Sequence, residues 1–422
     1  MSAVEIWREY LCKACGYLYS ERDGDVDSGL APGTRFEDIP EDWYCPICGV
    51  TKADFVLVEG KRVGLSKIPS HAAINISGDT RVVRRSTIRQ FDVVIVGGGT
   101  AAWKIVEALR AVSQEISIAM VAQCEANRYD KPLLSVAMAR HLSLSALVKE
   151  TGADAARRFG IALFANTTAI SLSASHQVVR TTLGSLQYKN LVIAQGAQSV
   201  LPEHLPPEYC WRINHLSQYA RFRDALGSSS RRVLVIGAGL IGSELSNDLA
   251  LGGHAITLVD VAPRPLMRLL EDAEQAEALL KAWEPLPIAF LGNTEVSEVT
   301  RSSVRGYEVR LSDEQCVAVD EIIVATGLKT CDRLANSAAL AWDNGIVVDP
   351  TTLLTSASGI YALGDCISIA GQTRRFIEPI GRQARTIASQ ILKEKLIPYE
   401  NQSVPVRIKT TSLPMTVNVA GA

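Results

Sequence analysis

The chain has 422 residues, of which 47% are hydrophobic and 21% are charged, so it is long enough for two to four globular domains. Its formal net charge of -2 excludes the basic surplus that a nucleic-acid partner requires, and no such partner is expected. The first residues lack the apolar core of a signal peptide, and no apolar run is long enough to span a bilayer. We therefore expect a cytoplasmic protein that does not insert into a membrane.

Charge is distributed unevenly near the N-terminus. Residues 1–55 hold eleven Asp/Glu and five Lys/Arg, whereas residues 56–89 hold seven Lys/Arg and two Asp/Glu. An acidic segment followed by a basic one is compatible with electrostatic docking, and equally with a solvated charged surface.

Four of the nine cysteines form two CxxC pairs in the acidic segment. Cys12 and Cys15 make the first pair, and Cys45 and Cys48 make the second. Thiols stay reduced in the cytoplasm, where paired cysteines usually bind a metal instead of forming disulfides. Two CxxC turns that face each other make a tetrahedral sulfur site, which suits either iron or zinc.

The same segment is far more aromatic than the rest of the chain. Its aromatic residues include Tyr10, Tyr17, Tyr19, Phe36, Trp43 and Phe55. With these residues and the loops around the two cysteine pairs, residues 10–55 closely resemble rubredoxin. The resemblance implies one iron ion bound by Cys12, Cys15, Cys45 and Cys48, cycling between ferric and ferrous states. A structural zinc ribbon is the alternative.

The first nucleotide-binding pattern follows a stretch of about thirty residues that shows no periodicity and that we interpret as a linker. Residues 91–96 form a buried-strand run, after which Gly97, Gly99 and Ala102 make a GxGxxA pattern at the start of a helix. The first glycine permits the tight turn, the second lets backbone amides approach a pyrophosphate, and Ala102 lets the helix lie close to the strand.

A second copy of this pattern follows. The strand at residues 232–236 leads into Gly237, Gly239 and Gly242, and a further strand ends at Asp260. A carboxylate at that place accepts hydrogen bonds from ribose hydroxyls and repels a 2′-phosphate, which favours NADH over NADPH. Arg264, a little further along, keeps NADPH possible.

With two complete glycine patterns, which we call the first and second fingerprint, the chain resembles the two-domain flavoprotein reductases of glutathione-reductase-like fold. Residues 360–366 look like the second FAD motif of that family, and residues 322–327, ending at Gly327, match its connecting ATG motif. The resemblance implies FAD at the first fingerprint, where Thr100 opens the helix, and NAD(H) at the second. By the family pattern Asp365, beside Gly364, would bind the flavin ribitol.

Residues 129–135 narrow the resemblance. They are similar to the stretch that lies along the flavin in NADH-dependent reductases serving rubredoxins and small ferredoxins. The resemblance implies that Lys131, next to Pro132, touches the cofactor and favours the reduced, anionic flavin; a surface lysine on a loop is the alternative. Glu125, shortly after the preceding strand, is the candidate for the acid that binds the FAD ribose.

These patterns predict a multidomain protein, with a small metal-bound β domain followed by an α/β flavoprotein that has two dinucleotide-binding domains. The expected segments are an iron domain (1–57), a linker (58–89), an FAD-binding domain in two parts (90–212 and 339–375), an NAD(H)-binding domain (213–338) and a partial C-terminal domain (376–422). Compared with the family the last segment looks abbreviated, so neither a docking surface nor an oligomeric state is carried over.

The remaining cysteines occur singly, so the redox-active cysteine pair of disulfide reductases of this fold is missing. We therefore predict an NADH:rubredoxin oxidoreductase that passes electrons from NADH through FAD to the fused iron. The iron in turn would reduce a redox protein, such as a hydroxylase, an oxygen- or superoxide-reducing enzyme or a separate rubredoxin. The alternative is a flavin NAD(P)H oxidoreductase whose four-cysteine segment is a zinc ribbon or a regulatory or docking module.

Overall fold

The computed structural model describes residues 7–12, 18–22, 24–25, 30–40, 43, 45, 51–57, 89–270, 272–303, 305–393 and 395–419. The predicted linker lies outside these residues, apart from Arg89, which begins a strand.

The N-terminal unit, called the head below, is a small antiparallel sheet with strand order β2-β1-β3. Its strands are β1 (Glu9–Cys12), β2 (Leu18–Ser20) and β3 (Phe55–Leu57). Aromatic rings fill its interior: the rings of Tyr10 and Phe36 stack with centroids 3.9 Å apart, and those of Trp43 and Phe55 lie 5.3 Å apart. Several of the aromatic residues singled out in the sequence thus form the core of the head. Such a small domain cannot rely on aliphatic packing alone.

The first large sheet has the order β8-β5-β4-β11-β10-β9, with β23 added beside β11. Strands β8, β5, β4, β11 and β23 are parallel, while β10 and β9 form an antiparallel extension. The elements up to residue 199 are β4 (Arg89–Val96), α1 (Thr100–Arg110), β5 (Ile118–Val121), β6 (Arg128–Tyr129), α2 (Leu144–Leu147), β7 (Val148–Glu150), α3 (Gly152–Phe159), β8 (Ala162–Phe164), β9 (Ala169–Ser173), β10 (Val178–Thr181), β11 (Gly184–Ile193) and β12 (Gln198–Ser199).

The second large sheet is entirely parallel, with the order β13-β20-β14-β15-β16, and a three-stranded antiparallel sheet β17-β18-β19 adjoins it in sequence. The elements are β13 (Cys210–Trp211), α4 (Leu216–Leu226), β14 (Arg232–Ile236), α5 (Leu240–Leu251), β15 (Ala255–Val259), α6 (Ala273–Trp283), β16 (Ile288–Leu291), β17 (Val296–Arg301), β18 (Tyr307–Leu311), β19 (Cys316–Val319) and β20 (Glu321–Val324). Strand β13 already belongs to this sheet, two residues before the predicted boundary at 213.

A two-stranded ribbon connects the two large units. It is formed by β12 and β21 (Leu328–Lys329), which pair antiparallel, and we call it the hinge. The chain then returns to the first unit, since α7 (Arg333–Ser337) packs on β9.

The remaining elements are β22 (Ile346–Val347), β23 (Ile360–Ala362), β24 (Ile367–Ser368), α8 (Ile380–Leu392), β25 (Val404–Ile408) and β26 (Met415–Val419). Helix α8 packs along α1, whereas Ile408 and the partly buried Met415 and Val417 of the β25–β26 hairpin join the hydrophobic core of the second unit. Among the described residues, no helix is both long and apolar enough to cross a membrane.

Candidate functional site

The turn between β4 and α1 has the geometry of a phosphate cradle. Gly97 has φ +133°, and a Cβ there would lie 2.1 Å from the carbonyl oxygen of Ala194, so only glycine fits. A Cβ added at Gly99 would meet no protein atom within 4 Å. Gly99 caps α1 without a side-chain hydrogen bond, and the first turn carries no acid, which leaves backbone N–H groups directed at open space. The residues present fit a pyrophosphate group.

The turn between β14 and α5 repeats this geometry. Gly237 has φ +102°, and a Cβ there would lie 2.6 Å from the carbonyl oxygen of Ala325. A Cβ on Gly242 would lie 1.8 Å from the oxygen of Gly237, so this third glycine lets the helix lie against the turn. Space beside Gly239 is again open. The structure therefore has two equivalent cradles, one on each parallel sheet.

Asp260 lies at the end of β15 beside the second cradle, as the sequence pattern predicts. Its carboxylate accepts hydrogen bonds from the backbone N–H of Ala238, within the cradle, and from that of Ala262 at 2.7 Å. Each oxygen keeps a further lone pair, so the group remains able to accept hydrogen bonds from ribose hydroxyls.

Lys131 and Asp365 are half-buried and lie close enough for their charges to interact. Lys131 begins a 3-10 turn (Lys131–Ser135), and Asp365 lies in another (Gly364–Cys366). Burial lowers the pKa of Lys131, an effect that the carboxylate of Asp365 opposes. Burial likewise raises the pKa of Asp365, while Lys131 and Arg375 pull it down. A partly desolvated cation beside an acid and an arginine suits a cofactor that gains negative charge on reduction.

The second FAD motif packs against the first cradle. Gly364 has φ +79°, its N–H donates to Oε1 of the buried Gln383 at 2.9 Å, and a Cβ there would lie 3.0 Å from Cβ of Ala101. Leu363 N–H donates to the carbonyl of Ile193 at 3.1 Å, next to the first cradle. The structure thus brings residues 97–102 and 364–365 together although they are far apart in sequence.

The positions of the other predicted site residues give less information about cofactor binding. Glu125 is exposed after β5 and accepts a hydrogen bond from Asn127 at 2.8 Å. Thr100 is the first residue of α1, and Pro132 stands in the first turn after Lys131. Gly327 has φ +118° with open space around it, directly before the hinge strand β21.

Helix α5 carries two buried acids that the sequence analysis did not single out. Glu244 is 2% exposed and accepts hydrogen bonds from Ser135 Oγ at 2.6 Å and from Lys409 N and Nζ at 2.8 and 2.7 Å. Asp248, one turn later, accepts from the backbone N–H groups of Met138 and Ala139. Both acids tie the second unit to the loop after Lys131. Their spacing of four residues, which places both acids on one face of the predicted helix, was the available signal.

The head contains two of the four predicted metal ligands among the described residues. Cys12 and Cys45 are 0% exposed and belong to its hydrophobic core, whereas Cys15 and Cys48 lie outside the described residues. No cluster of three or more His, Cys, Asp or Glu side chains suited to a metal occurs within the described part of the chain. Two fully buried thiols from different CxxC pairs fit a thiolate-bound metal.

Two nucleotide cradles on separate parallel sheets, with Lys131 and Asp365 close enough for their charges to interact, define an oxidoreductase with two dinucleotide-binding domains. Residues 91–392 match the family model "Pyridine nucleotide-disulphide oxidoreductase", and residues 9–55 match the rubredoxin model. The chain belongs to the pyridine nucleotide-disulphide oxidoreductase family and carries a rubredoxin domain before it. The predicted fold class and family resemblance are confirmed.

Curated relatives match about three quarters of this chain over most of their own length. A protein of Aeromonas hydrophila named nitric oxide reductase FlRd-NAD(+) reductase is 33% identical over 324 residues, covering 77% of this chain and 82% of the relative. A protein of the same name from Escherichia coli is 32% identical over 323 residues, covering 76% and 84%.

Solved structures agree with the observed fold. The covalent putidaredoxin reductase–putidaredoxin complex matches with a TM-score of 0.72 and 25% identity, over 78% of this chain and 81% of that one. A ferredoxin reductase from Rhodopseudomonas palustris matches with a TM-score of 0.67 and 24% identity, over 75% and 79%, which supports the fold alone.

Proposed function

We propose that this protein is an NADH-dependent rubredoxin reductase that passes electrons from NADH through FAD to iron in its own head. The observation that carries the proposal is the presence of two glycine cradles and a rubredoxin head with two buried thiols in one chain. The first cradle would bind FAD, the second would bind NADH, and the head would bind iron. The relatives' names, which pair FlRd with NAD(+), support electron exchange between a nicotinamide cofactor and a second redox centre.

The cofactors would supply the redox chemistry: with FAD and iron bound, one NADH would give NAD⁺, one proton and two electrons, which would reduce the single ferric centre of the head twice in succession. The chain positions these groups and excludes water. Residues 97–102 would hold the FAD pyrophosphate, Asp365 the ribitol and Glu125 the adenosine ribose, while Gly237, Gly239 and Gly242 would hold the pyrophosphate of NADH. Lys131 would stabilise negative charge near the flavin ring.

The acceptor is a redox protein. We propose that the head hands its electron to a protein outside the chain, and the relatives' names add a nitric oxide reductase, FlRd, to the acceptors expected from the sequence. Electrons would leave singly because a four-thiolate iron accepts one at a time. Among the described residues, Cys366 next to Asp365 is fully buried, and burial raises the pKa of its thiol to about 12, which does not favour thiolate chemistry there.

An anaerobic titration with NADH tests the proposal. The purified protein should show both flavin and ferric-tetrathiolate absorption, and both bands should bleach as NADH is added. In a Cys45→Ser variant flavin should still bleach, while the iron band and electron delivery to a rubredoxin-type acceptor should be lost. If the wild-type head contains zinc, or if Cys45→Ser still delivers electrons to the acceptor at the full rate, the head is a structural or regulatory module. The proposed relay, in which electrons pass from flavin through the head iron to the acceptor, is then wrong.

A further inference from the structure

One buried ion pair joins the head to the second unit of the reductase. Nη2 of Arg212 lies 2.6 Å from Oδ1 of Asp54, and the two side chains are only 12% and 10% exposed. Ion pairs on protein surfaces are usually well solvated and contribute little. This pair is withdrawn from water although its partners are 158 residues apart. Such a contact requires the two surfaces to lie together.

Arg212 is held firmly on its own side of the contact. It follows β13, which pairs with β20 at Ile322 and Ile323, and the indole Nε1 of the preceding Trp211 donates to Glu321 at 2.6 Å. Asn214, two residues later, donates to the carbonyl of Ala197 at 2.7 Å. Arg212 is therefore fixed between the second sheet and the start of hinge strand β12.

Lys329 of the hinge adds a second positive charge near Asp54. Burial raises the pKa of Asp54, and Arg212 and Lys329 both oppose that rise. The acid of the head thus faces two cations of the reductase, which agrees with the surplus of Asp and Glu in residues 1–55.

On the head, Asp54 lies beside the predicted iron site. It immediately precedes Phe55, which pairs with Cys12 across β3 and β1. Strands in a sheet are about 4.8 Å apart, so a residue next to Phe55 lies one strand away from a sulfur ligand. The contact with Arg212 therefore holds the part of the head that carries Cys12 against the reductase.

On the reductase, the hinge leads directly to the flavin motif. Thr330, the residue after Lys329, donates from Oγ1 to the carbonyl oxygen of Asp365 at 3.2 Å, and Arg375 donates to the same hydroxyl at 3.3 Å. The next residue, Cys331, accepts a hydrogen bond from Gln195 in the loop after β11 at 2.7 Å. The hinge, which carries Lys329, is thus connected to the predicted FAD site by neighbouring residues.

We propose that Arg212 and Lys329 form a docking site for the rubredoxin head, that Asp54 is its anchor, and that this contact sets the rate of electron transfer between flavin and iron. The inference rests on the proposed function and adds to it the surface that the two redox modules share. Docking holds the iron at a high effective concentration near the flavin, so its loss leaves only random encounters of the head with the reductase.

Charge reversal in the intact protein tests this proposal. Arg212→Glu places two acids together. Because loss of an interfacial charge pair weakens docking by more than about tenfold, the ferric band should bleach at least about tenfold more slowly after mixing with NADH. Flavin reduction should keep its wild-type rate. Small-angle X-ray scattering should show a larger radius of gyration than for wild type, since the head is no longer held.

Two further variants keep the test specific. Asp54→Lys combined with Arg212→Glu restores opposite charges and should recover compactness and much of the bleaching rate. Arg310→Glu, which removes an exposed ion pair with Glu298 in the same unit, is the matched control. It should change neither the radius of gyration nor the bleaching rate of the ferric band.

The outcomes separate docking from the relay itself. If Arg212→Glu bleaches iron at the wild-type rate, or slows flavin reduction equally, the docking proposal is wrong. If the wild-type protein shows no iron band that bleaches with NADH, the proposed function fails instead, and an unchanged scattering profile of Arg212→Glu would then overturn the docking contact independently.

Discussion

Glu244 is the most heavily committed buried charge among the described residues of helix α5, and its removal should destabilise the protein strongly. Its carboxylate accepts from Ser135 in the loop after Lys131 and from both nitrogens of Lys409 at the end of β25. Glu244→Ala leaves a hydroxyl, a backbone N–H and an ammonium group without their partner in a buried place. Breaking a buried pair by removing one member costs about 3–5 kcal/mol.

Lys409 is one quarter exposed, so water can recover part of its solvation, and we expect a value near the lower end of that range, about 3 kcal/mol. At roughly 2–4 °C per kcal/mol for domains of this size, the melting temperature should fall by about 6–12 °C. Glu244→Gln keeps an acceptor oxygen and should cost roughly half as much.

Calorimetry of the FAD-loaded protein measures these shifts, with Glu277→Ala as control because Glu277 is exposed on α6. If Glu244→Ala melts within about one degree of Glu277→Ala, the buried network contributes nothing, and the reasoning from its hydrogen bonds is refuted.

Three further outcomes follow from the site. Lys131→Met should slow flavin reduction by NADH about tenfold or more in anaerobic stopped-flow experiments, because a positive charge beside the flavin is lost; an unchanged rate would place Lys131 outside the reaction. Asp260→Ala should raise the KM for NADH more than that for NADPH in steady-state assays, and equal changes would contradict a ribose contact. Burial raises the pKa of Asp248 from 3.8 to about 6, so its folded state binds the proton more tightly and wild-type stability falls as pH rises from about 4 to 6. Asp248→Asn should lack that fall, and parallel melting curves of wild type and variant at pH 4.5 and 7 would contradict the assignment.

The sequence was sufficient where local backbone geometry dictates residue type. Gly97 and Gly237 are identifiable because each turn needs a positive φ and a close approach to a neighbouring strand. Strand β15 ends at Val259, directly before Asp260, and α1 begins at Thr100 within the GxGxxA pattern, as the sequence predicts. Asp260 follows from its distance along the chain, because the pattern fixes where the second strand ends.

Contacts between distant segments could not be predicted in the same way. Nothing near Asp54 in the sequence indicates Arg212, and nothing near Glu244 indicates Lys409, since these pairings depend on how whole units pack. The two-residue strand β13 likewise joins the second sheet just before residue 213, where we expected the NAD(H)-binding domain to begin. A two-residue edge strand is too short to show the hydrophobic periodicity by which strands are recognised in a sequence.

The stoichiometry of the proposed reaction explains why an ion pair suits the contact between head and reductase. NADH supplies two electrons and one iron accepts one, so the head must pass its first electron onward before it receives the second. A large apolar interface would hold the head permanently, whereas a contact centred on one charged pair can open between the two transfers. Glu37 and Asp38 of the head are exposed outside the Asp54–Arg212 pair, with Arg8 3.9 Å from Glu37, and they are the acids that we expect an external acceptor to meet. The same small domain can therefore meet the reductase through Asp54 and its next partner through other acids.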